Sequence, residues 1–211
     1  LERGVPIAAV KVGASDHGAR ASMSHTAALT GADAVYDALF DRLGVLRAET
    51  LAELMETLKL LSVTGPLKGR RVLSLSCSGG EAALMGDRMH RAGLEMPPPS
   101  DAGAKQMAKA FQIPVGSVGN PLDYNTMIWG DAAASAAGFE PALAEGYDLS
   151  VLVLDFPRAE RCDPKNWRAA LDGLIQAHQR VPAPAAVLST LPEAFPEDAR
   201  QACLAAGITP L

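Results

Sequence analysis

The sequence predicts an α/β chain whose parallel sheets are covered by helices on both faces, and three observations carry that reading. Short, continuous apolar runs recur at Pro6–Val12, Arg71–Ser76, Leu149–Leu154 and Ala185–Ser189. Because they do not alternate with polar residues, they suit strands buried on both faces. Stretches with helical spacing follow them and stop at glycines, as at 33–43 before Gly44 and 81–92 before Gly93. One segment with two glycines, a proline and no apolar run, Thr64–Gly69, divides the chain into 1–64 and 65–211.

In chain order, Pro6–Val12 is the first strand, and a stretch dense in Ala and Ser runs from Gly13 to Thr30. This stretch is expected to form a loop. Val35, Leu39 and Leu43 then share a helix face, and Val45 with Leu46 starts a second strand. Thr50 caps a helix that lines up Leu51, Leu54, Leu58 and Leu61. In the second half, Arg71–Ser76 is a strand, Cys77–Gly80 a tight turn and Glu81–Ala92 a helix. The prolines at 97–99 forbid helix there. A helix covers Asp101–Phe111, and Gly116–Asn125 is a structured loop. Leu149–Leu154 is the clearest strand. Asn166–Gln179 is a helix, Ala185–Ser189 a strand and Pro196–Ala206 a last helix, and Ile208 begins another strand. Strands alternating with helices put ligands at the carboxyl ends of the strands.

Composition narrows the function. The chain has 211 residues and a net charge of −5. Its Lys and Arg are scattered, which excludes a dedicated nucleic-acid surface, since no basic stripe supplies the phosphate contacts. Cys77, Cys162 and Cys203 lie far apart, so neither a zinc site nor a disulfide framework follows. Free thiols point to a reducing cytoplasm. No apolar run approaches the ~20 residues that span a bilayer, so no membrane partner is expected. Leu1-Glu2-Arg3-Gly4 reads as the end of a helix and its glycine stop, as if cut from a longer protein.

Three places could carry chemistry. Ser24-His25-Thr26 puts an imidazole among small residues, where a substrate can come close. Imidazole is nucleophilic near neutral pH, and a phosphoryl group on its nitrogen remains transferable. The same histidine could equally serve as a helix-end hydrogen bonder. Ser76–Gly80 (SCSGG) lies between a strand and a helix, where Ser78, Gly79 and Gly80 would offer backbone N–H groups and a positive helix end to a phosphate. A plain turn that needs glycine for its geometry fits as well. In Gly119–Asp123 (GNPLD), Asn120 and Pro121 enforce a turn and Asp123 can bind amides within it, so Asn120 and Asp123 are expected to structure the loop. No metal-ligand set is apparent.

Taken in order, PIAAVKVGASDHGARASMSHTAALTG at 6–31, ADAVYDALFDRLGVL at 32–46, SCSGG and GNPLDYN resemble the ADP-forming acetyl-CoA synthetase family, relatives of succinyl-CoA synthetase. The likeness covers nearly the whole chain. It implies two flavodoxin-like three-layer domains, the first incomplete at its N-terminus. It implies that His25 carries a phosphoryl group, that Ser24 and Thr26 flank it, and that Ser78, Gly79 and Gly80 bind phosphate. The reaction it implies interconverts acid, CoA and ATP with acyl-CoA, ADP and phosphate by way of an acyl phosphate. CoA, ATP or ADP and Mg would be bound by the full-length enzyme, a homo-oligomer with CoA-binding and ATP-grasp domains. This piece alone would bind no cofactor and be inactive.

Two other readings stand beside it. Ala27 occupies a place where the family usually has glycine, which leaves room for a non-catalytic relative that binds phosphate or CoA esters. A serine hydrolase would use Ser78 at the strand-to-helix turn, with Asp155 and His178 following in chain order.

Overall fold

The structure, a computed structural model, describes residues 4–26 and 31–211, and for 24–26 it describes the backbone alone. The chain forms two compact units, Leu1–Ser62 and Val63–Leu211.

In the first unit, β1 (Ala8–Val10) and β2 (Leu46–Ala48) pair in parallel, with Ala8 opposite Leu46 and Val10 opposite Ala48. Two helices connect them, α1 (Asp16–Thr26) and α2 (Asp33–Leu43). Over Asp16–Thr26, helix α1 corrects the loop expected from Gly13 to Thr30, of which 27–30 lie outside the described residues. Ala has the highest helix propensity of all residues, and the small side chains read as loop are compatible with a helical turn. Helix α2 ends where Gly44 adopts a left-handed conformation, φ 65°, and its N–H bonds back to the Asp41 carbonyl. Arg47 on β2 fastens α2 to the sheet: its guanidinium donates to both carboxylate oxygens of Asp33 at 3.0 Å and also pairs with Asp37. Helix α3 (Leu51–Val63) opens on a complete capping box. The Thr50 hydroxyl accepts from Glu53 N at 3.1 Å, while the Glu53 carboxylate accepts from Glu49 N and Thr50 N at 2.7 and 3.3 Å.

The second unit holds a five-stranded parallel sheet in the order β4-β3-β5-β6-β7. The strands are β3 (Val72–Ser76), β4 (Leu122–Asp123), β5 (Leu149–Val153), β6 (Ala185–Leu188) and β7 (Thr209–Pro210). Counted along this unit the order is 2-1-3-4-5, the flavodoxin-like doubly wound arrangement. The helices are α4 (Gly79–Arg91), α5 (Asp101–Phe111), α6 (Ala132–Ala144), α7 (Lys165–Arg180) and α8 (Glu197–Ala205). Expected strands and helices recur within a residue or two. The expected loop at Gly116–Asn125 instead contributes β4, after a 3-10 turn at Val115–Ser117.

Helix α6 has no counterpart in the sequence reading. Its run AAASAAGFEPALA is apolar nearly all round, so no 3.6-residue stripe marks it. The helix packs against α5 and α7, burying Ala136, Phe139, Ala142 and Leu143, while the exposed positions Ala133, Ala137 and Ala144 are alanines. Asp131 caps it by accepting from Ala134 N at 2.9 Å. The core on this face is built on Leu73, Leu75 and Leu152, over which Phe111, Tyr124 and Phe139 pack with ring centroids 5.0 to 5.7 Å apart.

Candidate phosphate turn at the switch point of the second sheet

Strand order reverses between β3 and β5, and an α/β sheet opens a crevice at the carboxyl ends of such a pair. The turn after β3 leads there. Ser78, in extended backbone, is the N-cap of α4, and its Oγ accepts from Glu81 N at 3.4 Å. Ser76 Oγ donates to the Ser78 carbonyl at 3.0 Å, which fixes the turn from below. Gly79 and Gly80 are exposed as the first two helical residues, with their amides at the positive end of α4. A Cβ on Gly79 would lie 3.2 Å from Asp123 Oδ2, so the β4 carboxylate approaches the helix start where only glycine leaves ample room.

Three carboxyl groups share this edge. Asp123, at the end of β4, accepts from Asn125 N at 2.8 Å and closes a tight turn. Asp155, just beyond β5, is held by the loop after β6: its Oδ1 accepts from Ser189 Oγ at 2.6 Å and Thr190 N at 2.7 Å. Glu81 is the odd member. Its Oε2 is buried without a hydrogen-bond partner. Burial first, then the charges of Asp155 and Asp123, push its carboxyl up to about 7. The neighbouring Cys77 thiol is likewise pushed up to about 11, by burial and then by Glu81, so it stays a thiol at neutral pH. Beneath them Tyr124 is buried with its hydroxyl unpartnered, and burial raises it well above the usual phenol range.

The expected site residues fall into groups. Ser78, Gly79 and Gly80 form the turn just described. Asn120 lies deeper: its Nδ2 donates to the Val72 and Pro97 carbonyls at 2.8 and 3.1 Å, and its Oδ1 accepts from Ser74 N at 3.2 Å. His25 is in the last turn of α1 by its backbone, while the side chains of Ser24, His25 and Thr26, and all of Ala27, lie outside the described residues.

The hydrolase reading fails on geometry. Asp155 is bound to Ser189 and Thr190, whereas His178 Nε2 is 2.9 Å from the Ala183 carbonyl, ahead of β6. In a parallel sheet these are opposite edges, so Ser78, Asp155 and His178 form no triad. Among the described residues no cluster of His, Cys, Asp and Glu could hold a metal ion, and no helix is long and apolar enough to cross a membrane.

The sequence reading missed the Asp155–Ser189–Thr190 clamp. Its signal was present: in LSVLVLD and AAVLST the polar residues directly follow neighbouring strands, and a parallel register brings such positions side by side.

Residues 1–61 match the family described as succinyl-CoA ligase like flavodoxin domain. The alpha subunit of acetate–CoA ligase [ADP-forming] I from Pyrococcus furiosus is 32% identical over 147 residues, which is 70% of this chain and 31% of that protein. The alpha subunit of isoform II from the same organism is 34% identical over 119 residues, 56% of this chain and 25% of that protein. The 4-hydroxybutyrate–CoA ligase [ADP-forming] of Nitrosopumilus maritimus is 34% identical over 60% of this chain and 17% of its own length. The chain thus spans about a quarter to a third of the Pyrococcus relatives. In fold it matches the dinucleotide forming acetyl-coenzyme A synthetase 1 of Ca. Korarchaeum cryptofilum, solved with phosphate and ADP. The TM-score is 0.79 at 22% identity, covering 98% of this chain and 43% of that one. Residues 1–61 thus match the succinyl-CoA ligase like flavodoxin domain, and over more than half of its length the chain is similar to subunits of ADP-forming acetate–CoA ligases.

Proposed function

We infer that the intact protein is an acid–CoA ligase that interconverts acid, CoA and ATP with acyl-CoA, ADP and phosphate, His25 carrying the phosphoryl group. The observation that supports this best is the kinship across 70% of the chain with an ADP-forming acetate–CoA ligase subunit. Acyl phosphate forms where CoA binds, and the nucleotide binds elsewhere. A covalent carrier on imidazole moves the phosphoryl group between the two without exposing it to water. Each transfer is then a matter of positioning and charge stabilisation. On this reading Ser24 and Thr26 flank the carrier, and the amides of Gly79 and Gly80, with the Ser78 turn, receive phosphate oxygens at the positive end of α4. CoA, ATP or ADP and Mg are bound by CoA-binding and ATP-grasp partner domains, in a homo-oligomer.

The test is to incubate the intact protein with γ-labelled ATP, and separately with acetyl-CoA and labelled phosphate. An acid-labile label that is lost in His25→Asn, together with loss of turnover, is expected. Normal turnover in His25→Asn removes the carrier role.

A further inference from the structure

Ser78-Gly79-Gly80-Glu81 has the sequence of a capping box, with serine at the N-cap and glutamate three residues on. Only half of the box is closed. Glu81 N donates to Ser78 Oγ, yet no described carboxylate accepts from the Ser78 N–H, and Glu81 Oε2 is buried without a partner. At Thr50–Glu53 of the same chain the equivalent box is fully made. The charged and titratable groups that bear on Glu81 are Asp123 and Asp155 from the strand ends, with Cys77 and Tyr124 beside them. No ion pair involves Glu81 among the described residues.

We propose that Glu81 is a two-position switch at the start of α4. In one position, the neutral acid lies buried on the side of Asp123 and Asp155. In the other, the ionised carboxylate swings out and accepts from the Ser78 N–H, closing the box. The neutral position is favoured because burial and two like charges oppose a carboxylate there. The ionised position is favoured because a carboxylate at a helix N-terminus gains a charge-assisted bond and the dipole of the first turn. Only the first position leaves the helix end without a covalently attached anion, so the switch sets whether an external one is welcome. The geometry of the turn carries this inference, and it holds independently of the ligase reading.

The experiment is a pH titration of the full chain between 5 and 9, following glutamate carboxyl carbons by 13C NMR and the Ser78 amide by 15N NMR. One glutamate is expected to titrate above the ordinary glutamate range but below the value of about 7 that the buried position alone imposes, with the Ser78 amide shifting at the same midpoint. Both transitions vanish in Glu81→Gln, and in Asp155→Asn the midpoint moves down toward the ordinary glutamate range. If every glutamate titrates in that ordinary range, or if the Ser78 amide stays still while Glu81 titrates, the switch is overturned.

Discussion

Asp155 reaches across from the end of β5 to Thr190, accepting its backbone N–H at 2.7 Å and its hydroxyl as well. With Ser189 Oγ at 2.6 Å on the same carboxylate, two neighbouring strand ends are locked together beside the switch point. Asp155→Ala takes the acceptor from the exposed Thr190 amide and hydroxyl, while the Ser189 hydroxyl can still donate to the Leu191 carbonyl at 2.8 Å, so the loss is expected at the low end of about 1–3 kcal/mol. Asp155→Asn keeps one carbonyl acceptor and should lose less. Urea unfolding of the two variants against the parent checks the order.

Stability should depend on pH through Glu81. Its carboxyl is raised from 4.5 to about 7 in the folded chain. Between those values the folded state binds more protons than the unfolded one, so stability from this group is full below about 4.5 and falls as pH rises through 7. Glu81→Gln should flatten that part of the pH–Tm curve and gain relative to the parent at pH 8. A parallel curve for the two proteins would contradict it.

Asn120 ties two backbone segments together with one amide, bonding the Val72 carbonyl and Ser74 N–H of β3 and the Pro97 carbonyl. Asn120→Ala leaves the buried groups of β3 unpaired, at about 1–3 kcal/mol for each one that water does not reach. Asn120→Asp keeps the acceptor but loses both donations. Both variants should lower the urea midpoint with little change in slope.

Helix α7 crosses α6 at Gly173, where an added Cβ would meet Ser135 Cβ at 2.5 Å and the Ala132 carbonyl at 3.0 Å. Gly173→Ala improves helix propensity by about 1 kcal/mol. It also overpacks a contact made partly of backbone, at about 1–3 kcal/mol. The net effect should be destabilising, read as a lower Tm. A higher Tm would mean the two helices separate more easily than their packing suggests.

Most of the second unit was legible because its strands are continuous apolar runs and α4 and α8 stop just ahead of Gly93 and Gly207. Leu149–Leu154 and Asp101–Phe111 needed no neighbours to be recognised. Helix α6 was not legible, because its exposed positions Ala133, Ala137 and Ala144 carry alanine, so no polar face sets its period. Within the Gly13–Thr30 stretch, Asp16–Thr26 was misread because Ala and Ser read as loop by smallness alone, although Ala favours helix. At the candidate site the SCSGG turn was visible from its glycines. The convergence of Glu81, Asp123 and Asp155 was not, since it comes from strand order.

The sequence alone determined the α/β class, the strand–turn–helix plan, the SCSGG turn ahead of α4 and the family likeness, because each is written in residues near one another along the chain. Tertiary structure decided which strand ends become neighbours, and with that the Asp155 clamp, the unpartnered Glu81 oxygen and the failure of the Ser78–Asp155–His178 triad. The physical reason is that local preference acts through hydrogen bonds a few residues apart. Charge, burial and hydrogen bonding at the sheet edge depend instead on strands 30 or more residues apart being laid side by side in one register.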